Sequence, residues 1–121
     1  MDVFQIQRDT GLWYSVEYAS FSVGPESDKY RLSVSGCSGD VGDALAAPVN
    51  PDSSGNGMRF STRDQDNDMK SSGSCARSYG GWWFNYCSRS KLTAKGSARW
   101  NAETDESIAD VVFARMLVKL A

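Results

Sequence analysis

Phe4 and Ile6 alternate with Gln5 and Gln7, the period of two that marks a strand with one buried face. Arg8-Asp9-Thr10-Gly11 follows with the polar and glycine residues of a turn. Leu12 to Val23 is then rich in aromatic and β-branched positions: Trp13, Tyr14, Val16, Tyr18, Phe21 and Val23. Gly24-Pro25-Glu26-Ser27-Asp28 breaks the run, after which Tyr30, Leu32 and Val34 alternate with Arg31, Ser33 and Ser35. The pattern predicts a three-stranded antiparallel meander over residues 3–36 with one face in a core.

Downstream the periodicity fades. Gly36, Gly39, Gly42, Gly55 and Gly57 recur among Ser, Asp and Pro, a composition that predicts surface loops. Asp43 is placed to cap one helical turn over Ala44 to Ala47. Met58 to Thr62 reads as a short strand leading into alternating aspartates, and Ala98 to Asn101 as another short strand. Val111 to Leu120 is apolar apart from Arg115 and Lys119. Its Ala, Met, Leu and Lys residues favour helix, but Val111, Val112, Phe113 and Val118 favour β. It is therefore expected as a final strand over 111–120, with Ala114, Met116, Val118 and Leu120 on one face. The expected fold class is α+β, with a central antiparallel sheet, little helix and long loops over 57–100. At 121 residues the chain suits one domain, 1–121.

Composition narrows the function. The chain has no histidine, which removes the commonest general base and zinc ligand and argues against an enzyme. No apolar run approaches the ~20 residues of a membrane-spanning helix. Met1 is followed at once by Asp2, so no signal peptide is read here. Three cysteines allow one disulfide plus a leftover thiol, or three buried thiols. The net charge of −2 hides a polar layout. Lys70, Arg77, Arg89, Lys91, Lys95 and Arg99 fall in a segment without a single acid, interleaved with Tyr79, Trp82, Trp83, Phe84 and Tyr86. Such a segment favours anionic ligands or forms a solvated face. The acidic pI near 5.0 speaks against nucleic acid.

Asp64, Asp66 and Asp68 alternate, and on an extended strand all three carboxylates would share one face and repel. A hard cation would offset that repulsion, and carboxylate plus carbonyl oxygens suit Ca²⁺; a solvated polar loop is the plainer reading. The run is not an EF-hand. Counted from Asp64, the required glycine and glutamate positions hold Met69 and Cys75; counted from Asp66, they hold Ser71 and Arg77.

Several ordered pieces resemble the fibrinogen-related domains: fibrinogen globular domains, ficolins, tachylectins and invertebrate fibrinogen-related lectins. Trp13 to Gly36 resembles the family's paired strands ending in Y-x-L-x-V-x-G. Gly39-Asp40-Val41-Gly42-Asp43-Ala44-Leu45 resembles its G-x-x-G-D-[SA]-L loop, and Gly57 to Asp68 its G-M-x-F-[ST]-T-x-D-x-D-N-D run. Cys75-Ala76, Gly81-Trp82-Trp83 and Cys87 are similar to its C-A…WW…C segment. The resemblance implies a Cys75–Cys87 disulfide and a Ca²⁺ site at Asp66 and Asp68. Loop carbonyls at Lys70 or Ser71 and at Gly73 would complete that site, with Asp64 as a supporting partner. It further implies an acetyl-group pocket beside the calcium, with Tyr79, Trp83, Phe84, Tyr86, Cys87, Ser88 and Arg89 as candidate ligand residues. A cis Tyr86-Cys87 peptide is expected there, while Trp82 is expected in the core.

The chain departs from the family pattern in four places. Ser88 stands where many members carry a pocket histidine, and Cys37 where an aromatic is usual, leaving a thiol to be buried or to form a dimer. The tyrosines of the far pocket wall have no match near Lys95 to Trp100, where Arg89, Lys91 or Arg99 could instead meet a sialic acid carboxylate. The N-terminal subdomain, with its own disulfide and G-G-W and W-L-G-N runs, is missing, as in a natural short form or an excised piece. The implied function is secreted, calcium-dependent recognition of acetylated glycans or sialoglycans in innate defence or adhesion, without catalysis or membrane insertion, by a homo-oligomer that gains avidity. The alternatives are a fibrinogen-type protein-protein interaction module, or a structural fragment without a working sugar site.

Overall fold

The computed structural model describes residues 2–46, 51–94, 98–100 and 111–118. The alternating residues at the start form three strands, β1 (Asp2–Arg8), β2 (Trp13–Val23) and β3 (Leu32–Gly39). The tight turn after β1 closes where the Arg8, Asp9, Thr10 and Gly11 signal predicted it, with the Gly11 N–H donating to the Arg8 carbonyl at 2.9 Å. A five-residue helix, α1 (Cys75–Tyr79), precedes the two-residue strands β4 (Ser90–Lys91) and β5 (Arg99–Trp100). The last strand, β6 (Val111–Leu117), returns to pair antiparallel with β1. The main sheet runs β3-β2-β1-β6, and β4-β5 form a separate ribbon.

Register explains the core. Phe4 lies opposite Val16 and Ile6 opposite Tyr14 across β1 and β2, so one face of the sheet collects apolar side chains. That face meets the loop-rich half of the chain. Phe4 packs its ring against Tyr18, Phe21 and Trp100 at centroid distances of 6.0, 5.9 and 5.5 Å. Trp83 sits between Phe21 and Phe60 at 6.3 and 5.2 Å. The indole N–H of Trp83 donates to the Tyr30 carbonyl at 2.9 Å, and that of Trp100 to the Gly42 carbonyl at 2.8 Å. Trp82 is buried in the same core.

Three expectations change. Met58 to Thr62 makes no strand: Ser61 exchanges two backbone bonds with Trp82, and Thr62 turns back onto Gln65, so no ladder can grow. The aspartates therefore lie on an irregular loop and not along one strand face. The turn after Asp43 is not a full helix, yet the cap is present, since Asp43 Oδ1 accepts from the Leu45 and Ala46 N–H groups at 3.2 and 2.8 Å. Ala47, Asn101, Lys119 and Leu120 fall outside the described residues. Of β6, Val112, Phe113, Met116 and Leu117 are exposed, so neither face of this strand is fully covered.

Cys37 is a free thiol, half-buried on β3. Burial, then the negative charge of Asp43, pushes it up to about 11. Little thiolate exists near neutral pH, which disfavours disulfide exchange there. Nearby, the fully buried Tyr18 donates its hydroxyl to Asp43 Oδ1 at 2.6 Å. Burial and that bond raise the phenol far above its ordinary range. This bond ties the sheet to the capped turn. Tyr18→Phe should lower unfolding stability by about 1.5–3 kcal/mol, the loss of a bond to a charged acceptor. Denaturant unfolding measures it, and an unchanged midpoint would show that the bond gives no net stability.

Candidate functional site

The second half of the chain is organised by one covalent link. Cys75 opens α1, capped by Ser74, whose Oγ accepts from the Arg77 N–H. It is joined to Cys87 with the Cα atoms 5.4 Å apart. Between them, Gly81 lies so close to Phe60 that an added Cβ would stand 2.9 Å from the ring. This contact seats the Trp82 backbone against Ser61. Trp83 is 7% exposed and Phe84 fully buried, so both serve as scaffold beneath the surface.

The chain emerges at Tyr86. Its side chain is exposed, and its backbone N–H donates to the Asp52 carbonyl at 2.9 Å. The Tyr86-Cys87 peptide is trans, against the cis expectation: Cys87 takes a left-handed φ of 38°, and its carbonyl accepts the Asn85 N–H at 2.9 Å in a tight turn. A left-handed non-glycine residue is strained and needs its surroundings to hold it. The disulfide supplies that hold. Ser88 Oγ is buried and accepts the Ser90 N–H at 3.1 Å.

Tyr86, Cys87, Ser88 and Arg89 line one open cavity of about 260 Å³, closed on its other sides by Ser53, Lys91 and Arg99. Four of the seven candidate ligand residues are thus brought together. Tyr79 stands behind the pocket, its ring 3.9 Å from Lys91 Nζ. Lys91 lies directly across the β4-β5 ribbon from Arg99. Lys91 is only 7% exposed. Burial, then the positive charges of Arg99 and Arg89, pushes its amine down to about 8. The composition of the basic segment pointed to Lys91 and Arg99. Ser53 carried no local signal and reaches the pocket only through the turn at Pro51–Ser53.

The aspartate loop lies on the other side of the disulfide. Asp68 accepts the Lys70 N–H on Oδ1 and the Cys75 N–H on Oδ2, both at 2.9 Å, and Asp66 Oδ1 accepts the Asp68 N–H at 3.1 Å. Burial raises the Asp68 carboxyl, the neighbouring Asp66 raises it further, and the two backbone bonds oppose the rise. Asp66 and Gly73 line a common cleft with Asp64 and Ser74, rimmed by Arg63 and Arg77. Gly73 adopts φ 79°, which glycine permits at no steric cost. Asp64 turns to Thr62, whose hydroxyl donates to it at 2.6 Å. Among the described residues no three acidic or cysteine side chains converge as a ready metal cage. Of the expected calcium ligands, Asp66 and Gly73 line that cleft, whereas Asp68, whose two oxygens accept backbone N–H groups, and Ser71 do not; carboxylate and carbonyl oxygens are the donor type that a hard cation takes.

No helix among the described residues is long and apolar enough to cross a membrane. The profile of the family described as "Fibrinogen beta and gamma chains, C-terminal globular domain" matches residues 3–115. The mouse fibrinogen gamma chain is 45% identical over 92 residues, which cover 69% of this chain and 21% of that protein. The fibrinogen-like globe domain of human ANGPTL6 superposes with a TM-score of 0.79 at 30% identity, covering 98% of this chain and 57% of that one. Lamprey fibrin D-dimer, solved with the peptide ligand Gly-His-Arg-Pro-amide, gives a TM-score of 0.80 at 27% identity, covering 95% of this chain and 43% of that one. The chain thus spans about a fifth of the length of the gamma chain it matches. With the antiparallel sheet, the scarcity of helix and the Cys75–Cys87 link in place, the chain belongs to the family of fibrinogen C-terminal globular domains.

Proposed function

We propose that this chain is a non-catalytic binding module that takes an acetylated carbohydrate, an N-acetyl sugar or a sialic acid, in the pocket beside the disulfide. The observation that carries the reading is the convergence of Tyr86, Cys87, Ser88 and Arg89 on one polar cavity at a strained, disulfide-held turn. Exposed Tyr86 offers an aromatic face to a sugar or methyl group, and the buried Ser88 fixes the adjoining backbone. Calcium is assigned to Asp66 and Asp68, with the carbonyls of Ser71 and Gly73. When bound it supplies positive charge that relieves the carboxylate repulsion and stiffens the loop ending at Cys75. The disulfide supports an oxidising, extracellular setting, and a homo-oligomer would raise a weak single-site affinity by avidity.

A second reading is capture of a peptide by a protein-interaction module. It is favoured by the likeness to lamprey fibrin, whose solved complex holds Gly-His-Arg-Pro-amide.

Calorimetry with N-acetylglucosamine and N-acetylneuraminic acid, with and without Ca²⁺, should give heat that depends on calcium. Silence in every condition, together with binding of Gly-His-Arg-Pro-amide, would sink the carbohydrate reading in favour of the peptide. The calcium assignment has its own test. At about a hundredfold excess over its Kd, Ca²⁺ should stabilise the fold by ~2.7 kcal/mol, seen as a rise in Tm. Asp66→Asn should abolish that rise. In chelator the same variant should melt no lower than the parent, because one of two repelling carboxylates is gone while an amide oxygen still accepts the Asp68 N–H. A retained calcium response would remove Asp66 from the site.

A further inference from the structure

The charges around the ligand pocket have one sign. Arg89, Lys91 and Arg99 line it, and among the described residues no carboxylate does. Lys91 and Arg99 face each other directly across the β4-β5 ribbon, where like charges destabilise the pair. Arg89, just before β4, lines the same cavity, and its positive charge acts on Lys91. The Nε atom of Arg99 is buried without a hydrogen-bond partner among the described residues. Lys91 is held 93% out of solvent, with the Tyr79 ring its near neighbour. A buried ammonium normally needs a carboxylate, and among the described residues it has an aromatic face, two arginines and an open cavity.

We infer that this pocket is an anion receptor, in which Lys91 and Arg99 receive a carboxylate or sulfate carried by the ligand. The inference rests on the pocket being the ligand site and sharpens it: the acetyl group alone is an incomplete ligand, and an acidic sugar is the fitting class. It also separates this pocket from one suited to Gly-His-Arg-Pro-amide. That peptide carries an amino terminus, an arginine and no carboxylate, so the lining cations would repel it.

Protonation follows from the same cluster. Among the described residues, the groups facing Lys91 are Arg89 from its own segment, Arg99 from β5 and Tyr79 from α1. With its amine near 8 against an ordinary 10.5, Lys91 binds fewer protons in the folded than in the unfolded protein between those values. The fold therefore bears the full cost of the ammonium below pH 8 and sheds it as pH rises toward 10.5. An anion reverses the shift, so binding near that pH takes up a proton.

The test compares two probes by calorimetry on the calcium-loaded protein: the 2-O-methyl glycoside of N-acetylneuraminic acid and the methyl ester of its carboxylate. They share the acetamido group and differ by one charge. The acid should bind about tenfold to a hundredfold tighter, as a charge-assisted bond implies. Near pH 8, buffers of different ionisation enthalpy should report proton uptake. Lys91→Met should remove the acid's advantage while raising the Tm of the unliganded protein, whereas a merely structural lysine would lower it. If Lys91→Met does not fold, Arg99→Gln carries the same expectation for binding. Equal affinity for acid and ester overturns the anion receptor and leaves the acetyl-sugar reading standing. If neither sugar binds, that reading fails and inorganic sulfate decides the inference. Sulfate binding weakened about tenfold in the variant supports it, and no sulfate binding, or equal binding by the variant, overturns it.

Discussion

Two indole hydrogen bonds and the rings around them hold the loop-rich half of this molecule onto its sheet. The described residues between 40 and 94 contain a five-residue helix, one 3-10 turn and a two-residue strand, too little regular structure to satisfy their own backbone or to form a separate core. Trp83 reaches across the interface with an N–H that ends on the Tyr30 carbonyl, and the Trp100 N–H ties the β4-β5 ribbon to the Gly42 carbonyl just after β3. Their rings bury large apolar areas against Phe4, Phe21 and Phe60. Burial without the carbonyl partners would strand two donors, and the bonds without burial would be exchanged for water. Together they fix where residues 81–100 stand relative to the strands, and with that where the pocket opens.

The same geometry shows how local strain is distributed. Lys29 and Tyr30 are consecutive non-glycine residues at φ 53° and 57°, a conformation L-residues seldom adopt twice in a row. They are tied by the Lys29 N–H to the Glu26 carbonyl, the Tyr30 N–H to the Pro25 carbonyl, and the Phe60 N–H to the Lys29 carbonyl. Trp83 bonds the carbonyl that this bend presents. Asp28 adds pairs with Arg31 at 3.0 Å and Arg59 at 3.2 Å. Cys87 is the third left-handed non-glycine residue among those described, and a covalent bond restrains it. Strain sits at the two places where the chain must present a specific backbone face.

The sheet was legible because period-two alternation is local: Phe4 and Ile6, Val16 and Tyr18, and Leu32 and Val34 each declare their buried face without reference to the rest. The final strand was legible from its β-branched content, although its exposed flanks were not, because exposure depends on what packs nearby. The Met58 to Thr62 segment misled because strand propensity says nothing about whether a partner can extend beyond one bridge. In the pocket, the charge of the basic segment was readable, but its focus was not. Lys91 and Arg99 become neighbours through a ribbon of two residue pairs, too short to leave a sequence period. The backbone at Cys87 was equally hidden, since its left-handed turn depends on the disulfide and on the carbonyl it offers to Asn85.

The pairing of β1 with β6 has a meaning for how the chain is made. The Arg115 side chain meets Gln5 across 110 residues of sequence, and the two strands pair from Val3 with Leu117 to Arg8 with Val111, with one register shift between Gln7 and Arg8. Closing a loop of that length costs about 4 kcal/mol of chain entropy before any contact offsets it. Until β6 leaves the ribosome, β1 is an open sheet edge with unsatisfied backbone groups. The β1-β2 hairpin can form as soon as its own residues are made, yet the sheet stays unfinished until residues 111–117 follow. During that interval its risk lies in a stray strand from another molecule taking the place that β6 fills.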